Sequence, residues 1–113
     1  MKTLYVAGSR RFIKEITISI NALQEAYVVT TTVLTPNLSE KEAIQDAYFK
    51  IQQADFIYIV AVDGYAGKTV ALEIGYAYAL GKPIISSEKI TDESIQPSIS
   101  KVLSPQELLY NHS

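Results

Sequence analysis

The sequence predicts an α/β domain, a flavodoxin-like or Rossmann-like three-layer sandwich built on a parallel five-stranded sheet. Three observations carry this expectation. Apolar β-branched runs alternate with amphipathic ones in the order β-α-β-α-β-α-β, which implies parallel strands joined by right-handed crossovers. The run DFIYIVAV has little polar content, as befits a central strand covered on both faces. A chain of 113 residues with 48% hydrophobic content suits one domain, 1–113, with a real core.

The elements follow in order. TLYVAG (Thr3–Gly8) reads as a buried strand ended by glycine. RFIKEITISINALQEA places Phe12, Ile16, Ile20 and Leu23 at helical spacing. YVVTTTVL (Tyr27–Leu34) is β-branched and reads as the second strand. The next helix opens with Ser39 and Glu42 in capping-box spacing, with Ala43, Ala47 and Ile51 as its apolar stripe. DFIYIVAV (Asp55–Val62) is the third strand, and DGYAGK the loop after it. A helix over about Thr69–Leu80 is stopped by Gly81. KPIISS and KVL supply two short strands, with a turn of helix in DESIQPSIS between them. SPQELL carries the signals of a final helix, with Ser at its cap and Pro in first position. The order 2-1-3-4-5 suits these strands. It makes a switch point between strands one and three, where the loops GSRR and DGYAGK meet and a ligand crevice is expected.

Composition removes several function classes. Ten basic against twelve acidic residues, a net charge of −2, give no global field for a nucleic-acid polymer or an anionic membrane. The chain has no cysteine, so disulfides, thiolate metal sites and Cys nucleophiles are excluded. The single histidine, His112, lies in the terminal YNHS, which argues against a His-based triad or zinc site. No apolar run reaches the roughly 18 to 20 residues of a membrane span. The start does not read as a signal peptide, and a cytoplasmic protein is expected.

The stretch TVALEIGYAYALGKP is apolar and small except for Glu73 before Lys82. At roughly 100° per residue, Val70, Ile74, Ala77 and Gly81 centre one face, with Glu73 at its edge. The opposite side, Leu72, Gly75, Tyr76 and Ala79, is also apolar or small. A helix without a polar face is expected to be buried all round, and a second protomer is the expected cover, giving a homodimer or higher homo-oligomer. A buried carboxylate costs several kcal/mol unless donors or charges answer it. Glu73 could pair with a cation across an interface, reach water at a groove edge, or stand at the mouth of the crevice. There its helix's amino end would favour the ionised form. An ionised carboxylate beside a sugar carbon is a nucleophile for glycosyl transfer.

At this point the sequence resembles the nucleoside 2-deoxyribosyltransferase superfamily, through LEIGYAYALGKPI and across most of residues 3–86. The resemblance implies that Glu73 attacks the anomeric carbon and that Asp55, opening ADFIYIV, helps position the sugar. YVAGSRR resembles the 2'-deoxynucleoside 5'-phosphate N-hydrolase branch, with Tyr5, Gly8, Ser9 and Arg10 in matching places. There the Gly-Ser loop holds the 5'-phosphate. The implied ligand is a small-molecule nucleoside or nucleotide, with no metal or organic cofactor. Two positions depart from the pattern. Gly67 stands where the transferases carry an Asp six residues before the nucleophile, and Ala71 replaces a glycine. The first departure leaves base protonation to another group, Asp55 or Asp63, and motivates a second reading, a non-catalytic nucleotide-binding module. A third, kinship with Rossmann-like nucleotide-binding proteins that share a GSR loop, accounts for GSRR but not for Glu73.

The residues expected at the site are therefore Glu73, Asp55 and Tyr5 for chemistry, and Gly8, Ser9, Arg10, Asp63 and Gly67 for substrate or phosphate. Each has a structural alternative. Ser9 could be a helix cap with Arg10 and Arg11 solvated. Asp55 could cap a turn, and Asp63 could form one. Tyr5 could be core, Lys68 could face solvent, and Tyr65, Tyr76 and Tyr78 could stack a base or pack. Ser86 and Ser87 are expected near the crevice rim.

Overall fold

A computed structural model of the protein describes residues 1–110, so His112 lies outside the described residues. Its strands are β1 (Thr3–Gly8), β2 (Val28–Thr31), β3 (Phe56–Val60), β4 (Ile84–Ser86) and β5 (Lys101–Val102). The helices are α1 (Ile13–Leu23), α2 (Glu40–Gln53), α3 (Lys68–Ala79) and α4 (Pro105–Tyr110). The five strands form one sheet in the order β2-β1-β3-β4-β5, and every pairing is parallel. The expected architecture and strand order are both present.

The alternation of side chains along each strand builds two cores. Tyr5 and Ala7 of β1 and Ile57 and Ile59 of β3 face α2 and α3, joining Ala47, Ile51, Val70, Ile74 and Ala77. Leu4, Val6, Tyr58 and Val60 face the other way, onto Ile16, Ile20 and Leu23 of α1 and Leu108 of α4. All five residues of β3 are buried, as its uniform apolarity requires. No helix among the described residues is long and apolar enough to cross a membrane.

Local signals act where the sequence put them. Ser39 accepts from the Glu42 N–H at 3.1 Å, and the Glu42 carboxylate accepts from the Ser39 N–H at 2.9 Å, a complete capping box for α2. Ser104 and Glu107 repeat it at α4. Helix α3 ends with Gly81 at φ 73°, where the Gly81 N–H reaches the Tyr78 carbonyl and the Lys82 N–H reaches that of Ala77. That pair of bonds is a Schellman motif, which needs a residue at ease in the left-handed region.

One expectation is corrected. The second strand is shorter than Tyr27–Leu34. Pairing with β1 ends at Thr31, and beyond it the chain turns, with Thr32 bonded to Asp46 of α2. Tyr27 instead packs edge-on against Phe56. Within one chain helix α3 keeps an open side, the side for which a second protomer is the expected cover. Val70, Glu73, Ile74 and Ala77 are buried, but Leu72 is 57% and Tyr78 63% exposed. Ser86, at the carboxyl end of β4, and Ser87, just past it, donate to the carbonyls of Glu88 and Ala61 respectively.

Candidate active site

A cleft of about 770 Å³ opens at the carboxyl ends of β1 and β2, between the start of α2 and the start of α3. This is the crevice the strand order demands, and its size suits a small-molecule ligand. β1 supplies Tyr5, Ala7 and Gly8 to its wall, the following turn Ser9 and Arg10, and the loop into α3 Tyr65, Ala66 and Gly67. Lys68, Thr69 and Glu73 come from α3 itself.

Glu73 is 6% exposed and lines this cleft. The Tyr5 phenol donates to its Oε1 at 3.2 Å across the gap between β1 and α3. Tyr5 sits mid-strand on the α2/α3 face of the sheet, so the strand's pleat aims its ring at α3. Burial pushes the Glu73 carboxyl up to about 7, and the Tyr5 hydrogen bond opposes only part of that rise. The expected pull of the helix amino end does not prevail, because Glu73 is the sixth residue of α3 and that effect fades within the first turn. The Tyr5 phenol is itself pushed well above its ordinary range by burial and then by the Glu73 charge, so it stays protonated and donates.

The other expected residues divide. Gly8, Ser9, Arg10 and Gly67 lie on the cleft wall with Tyr5 and Glu73. Gly8 is required for packing as well, since a Cβ there would lie 2.7 Å from Cδ1 of Ile16. Ser9 accepts from the Arg11 N–H at 3.2 Å and so caps the short 3-10 turn Arg10–Phe12. Arg10 is exposed at the mouth, whereas Arg11 lies over the Tyr65 ring, 4.7 Å from its centre. Gly67 takes φ 99°, a conformation that side chains strain to adopt, which gives a physical reason for glycine rather than aspartate there.

Asp55 is displaced from its expected place. It stands at the amino end of β3, where its carboxylate accepts from the Thr3 N–H at 2.8 Å and its own N–H reaches the Thr3 carbonyl at 2.7 Å. This places it at the amino ends of the strands, away from their carboxyl ends, and it does not line the cleft. Asp63 is also outside the cleft wall. It and Gly64 have φ of 54° and 77°, the two turn residues of a tight hairpin bridging Val62 and Tyr65. Tyr76 stacks on Tyr48 with ring centres 4.2 Å apart and its hydroxyl accepts from Gln52, so it joins α3 to α2.

Sequence reasoning missed the contribution of β2 and α2. Thr32, Leu38, Glu40, Lys41 and Ile44 also line the cleft. The signal was available in the strand order, since β2 lies beside β1 and its carboxyl end must face the same crevice. Arg10, Lys41 and Lys68 place three cations around the opening. Gly67 leaves the amino end of α3 without a side-chain cap, and Gly67, Lys68 and Thr69 at that end line the cleft. Among the described residues, no three His, Cys, Asp or Glu side chains gather so as to hold a metal ion.

Sheet order and helix layers together define a doubly wound, flavodoxin-like α/β fold. More narrowly, several solved structures of low sequence identity share this fold. The 2-deoxyribosyltransferase of Bacillus psychrosaccharolyticus superposes with a TM-score of 0.78 at 20% identity, over 98% of this chain and 92% of that one. The CMP N-glycosidase BcmB of Clostridium botulinum gives 0.68 at 19% identity, over 96% of each chain. A conserved protein from Enterococcus faecalis gives 0.71 at 14% identity, over 97% of this chain and 96% of that one. No family model matches the sequence, and no curated protein matches it.

Proposed function

We propose that the protein cleaves or transfers the N-glycosidic bond of a deoxynucleoside or its 5'-monophosphate, with Glu73 as the nucleophile. One observation carries the reading: a buried carboxyl group, held by a tyrosine, faces a ligand-sized cleft at the switch point of the sheet. The neighbours, a deoxyribosyltransferase and a CMP N-glycosidase, support glycosyl chemistry in general.

In the first step a Glu73 oxygen attacks the anomeric carbon. The bond to the base nitrogen breaks, and its electron pair leaves with the base, which takes a proton from water in the cleft. In the second step water or another base attacks the same carbon and releases the Glu73 carboxylate. Tyr5 holds the carboxylate in place. Neither Asp55 nor Asp63 lines the cleft, so neither is assigned a role in base protonation. Arg10, Lys41 and Lys68, with the uncapped amino end of α3, favour an anionic 5' end. Tyr65, braced by Phe12 and Arg11, offers a ring face to a base.

A second reading, nucleotide binding without turnover, is favoured by one observation: glycine at 67 leaves no acid beside the nucleophile. One assay separates the two. The protein is incubated with each deoxynucleoside and deoxynucleoside monophosphate, and free base is measured by chromatography, with Glu73→Ala alongside. Base release abolished by the substitution is expected. Binding without release supports the second reading, and unchanged turnover in Glu73→Ala removes the nucleophile from the mechanism.

The protomer is also proposed to pair with a second copy through the exposed face of α3. Leu72 lies both on that face and on the cleft wall, so the pairing would border the site.

A further inference from the structure

The ring of Tyr65 finds partners within the chain, but its hydroxyl does not. Tyr65 lies on the cleft wall and is 42% exposed. Phe12 meets its ring edge-on with centres 6.0 Å apart, and the Arg11 guanidinium lies 4.7 Å from the ring centre. The backbone is held as well. The Tyr65 N–H donates to the Val62 carbonyl at 3.0 Å, and the preceding Gly64 carbonyl accepts from the Thr91 N–H at 3.1 Å. Among the described residues, nothing accepts a hydrogen bond from the Tyr65 hydroxyl.

That hydroxyl has a defined neighbourhood. A Cβ added to Gly67, the glycine just before α3, would lie 3.8 Å from the Tyr65 hydroxyl oxygen and 3.6 Å from the Ser9 Cβ. The phenol of the β3–α3 loop and the serine of the β1–α1 turn therefore meet over one residue. Ser9 Oγ accepts from the Arg11 N–H, so its own hydrogen remains to be donated. Arg10 and Lys68, next in sequence to Ser9 and Gly67, also line the cleft. The two carboxyl groups on the wall stand elsewhere: Glu40 opens α2, and Glu73 is the sixth residue of α3 and bonded to Tyr5.

Tyr65, Ser9, Arg10 and Lys68 all offer hydrogens, and two of them carry positive charge. Such a set suits a ligand group made only of acceptors. A phosphate monoester has three acceptor oxygens and roughly two negative charges at neutral pH. A free hydroxyl has one oxygen and brings a hydrogen of its own. Because the Tyr65 ring is already ordered by Phe12 and Arg11, little further side-chain freedom is lost when its hydroxyl donates.

We propose that the Tyr65 hydroxyl is a specificity-determining donor, which with Ser9 recognises the phosphate of a nucleoside 5'-monophosphate and sets its preference over the unphosphorylated nucleoside. The assignment rests on the reading of the cleft as a nucleoside or nucleotide site, and it names the phosphorylated member of that pair as the ligand. In a β-nucleoside the base and C5' lie on the same face of the sugar. One aromatic residue can therefore meet both, its ring against the base and its hydroxyl against the phosphate.

The test compares affinities in the Glu73→Gln background, where the proposed reaction is blocked. Calorimetry gives Kd for each of the common deoxynucleosides and its 5'-monophosphate, with and without Tyr65→Phe. That substitution keeps the ring and its contacts with Phe12 and Arg11 and removes the donor alone. The parent is expected to bind a 5'-monophosphate about tenfold or more tighter than its nucleoside. Tyr65→Phe is expected to weaken the monophosphate roughly tenfold and the nucleoside less than about twofold. Where Tyr65→Phe fails to fold, Ser9→Ala is read by the same ratio. An equal loss for both ligands, an unchanged preference, or a parent that binds the two alike overturns the proposal. Binding of neither ligand overturns the reading of the cleft and this proposal with it. Absence of base release in the wild type, with the affinities as expected, overturns the glycosyl reading and leaves this one standing.

Discussion

Glu73 carries a measurable conflict between stability and chemistry. In the folded chain its carboxyl is raised from 4.5 to about 7 by burial. As pH rises from 4.5 towards 7, the unfolded chain loses this proton while the folded chain keeps it. Stability contributed by the protonated form is therefore full below 4.5 and lost as pH passes through about 7. Glu73→Gln removes that dependence, so the variant is expected to exceed the wild type in stability at pH 8 by up to about 3 kcal/mol, measured by urea unfolding. Turnover, if Glu73 is the nucleophile, moves oppositely and rises roughly tenfold per pH unit below 7 before levelling. A rate that falls across pH 6 to 8 would contradict the assignment. Tyr5→Phe removes the donor, so it shifts the midpoint of that profile upward.

Residues were legible where their chemistry was strained. An acid in an apolar helix called for an explanation, and Tyr5 provides part of it. Asp55 was misplaced because a strand's direction decides which of its ends meets ligand, and the amino end never does in a parallel sheet of this kind. Thr32 and Asp46 went unnoticed because a threonine in a β-branched run and an aspartate on a polar helix face look ordinary until the fold brings them together.

At the scale of elements, caps and close approaches govern the outcome. The capping box of α2 satisfies two end groups at once, so Ser39→Ala is expected to cost about 1 kcal/mol, read as a lowered melting temperature. Helix α1 lies so near β1 that Gly8→Ala would force Ile16, which is fully buried, to move. A loss of roughly 1 to 3 kcal/mol is expected. Gly67→Asp places a side chain at φ 99° and is expected to destabilise the loop into α3 by about 1 to 3 kcal/mol. A variant as stable as the wild type would show that this backbone relaxes easily. The helices were readable from spacing and caps. Strand β2 was not, because residues beyond Thr31 have strand-like composition but no partner strand to pair with.

For the whole molecule, the order of runs was enough to give the sheet, since parallel strands with short crossovers leave few arrangements. The association state is a separate matter. Leu72 and Tyr78 of α3, and Leu80 just past its end, are exposed apolar side chains. Sedimentation is expected to give a dimer, and Tyr78→Lys to yield monomers with an unchanged circular dichroism spectrum. A monomeric wild type would remove the pairing.

The margins of the sheet carry a last consequence. On one side β2 offers four residues and on the other β5 offers two, with Lys101 adding a charge to the shorter. A template so brief gives an incoming strand few main-chain partners. Crowded copies of this chain therefore have little purchase for fibrous, strand-by-strand growth, and ordered aggregation would have to begin by unravelling the native domain.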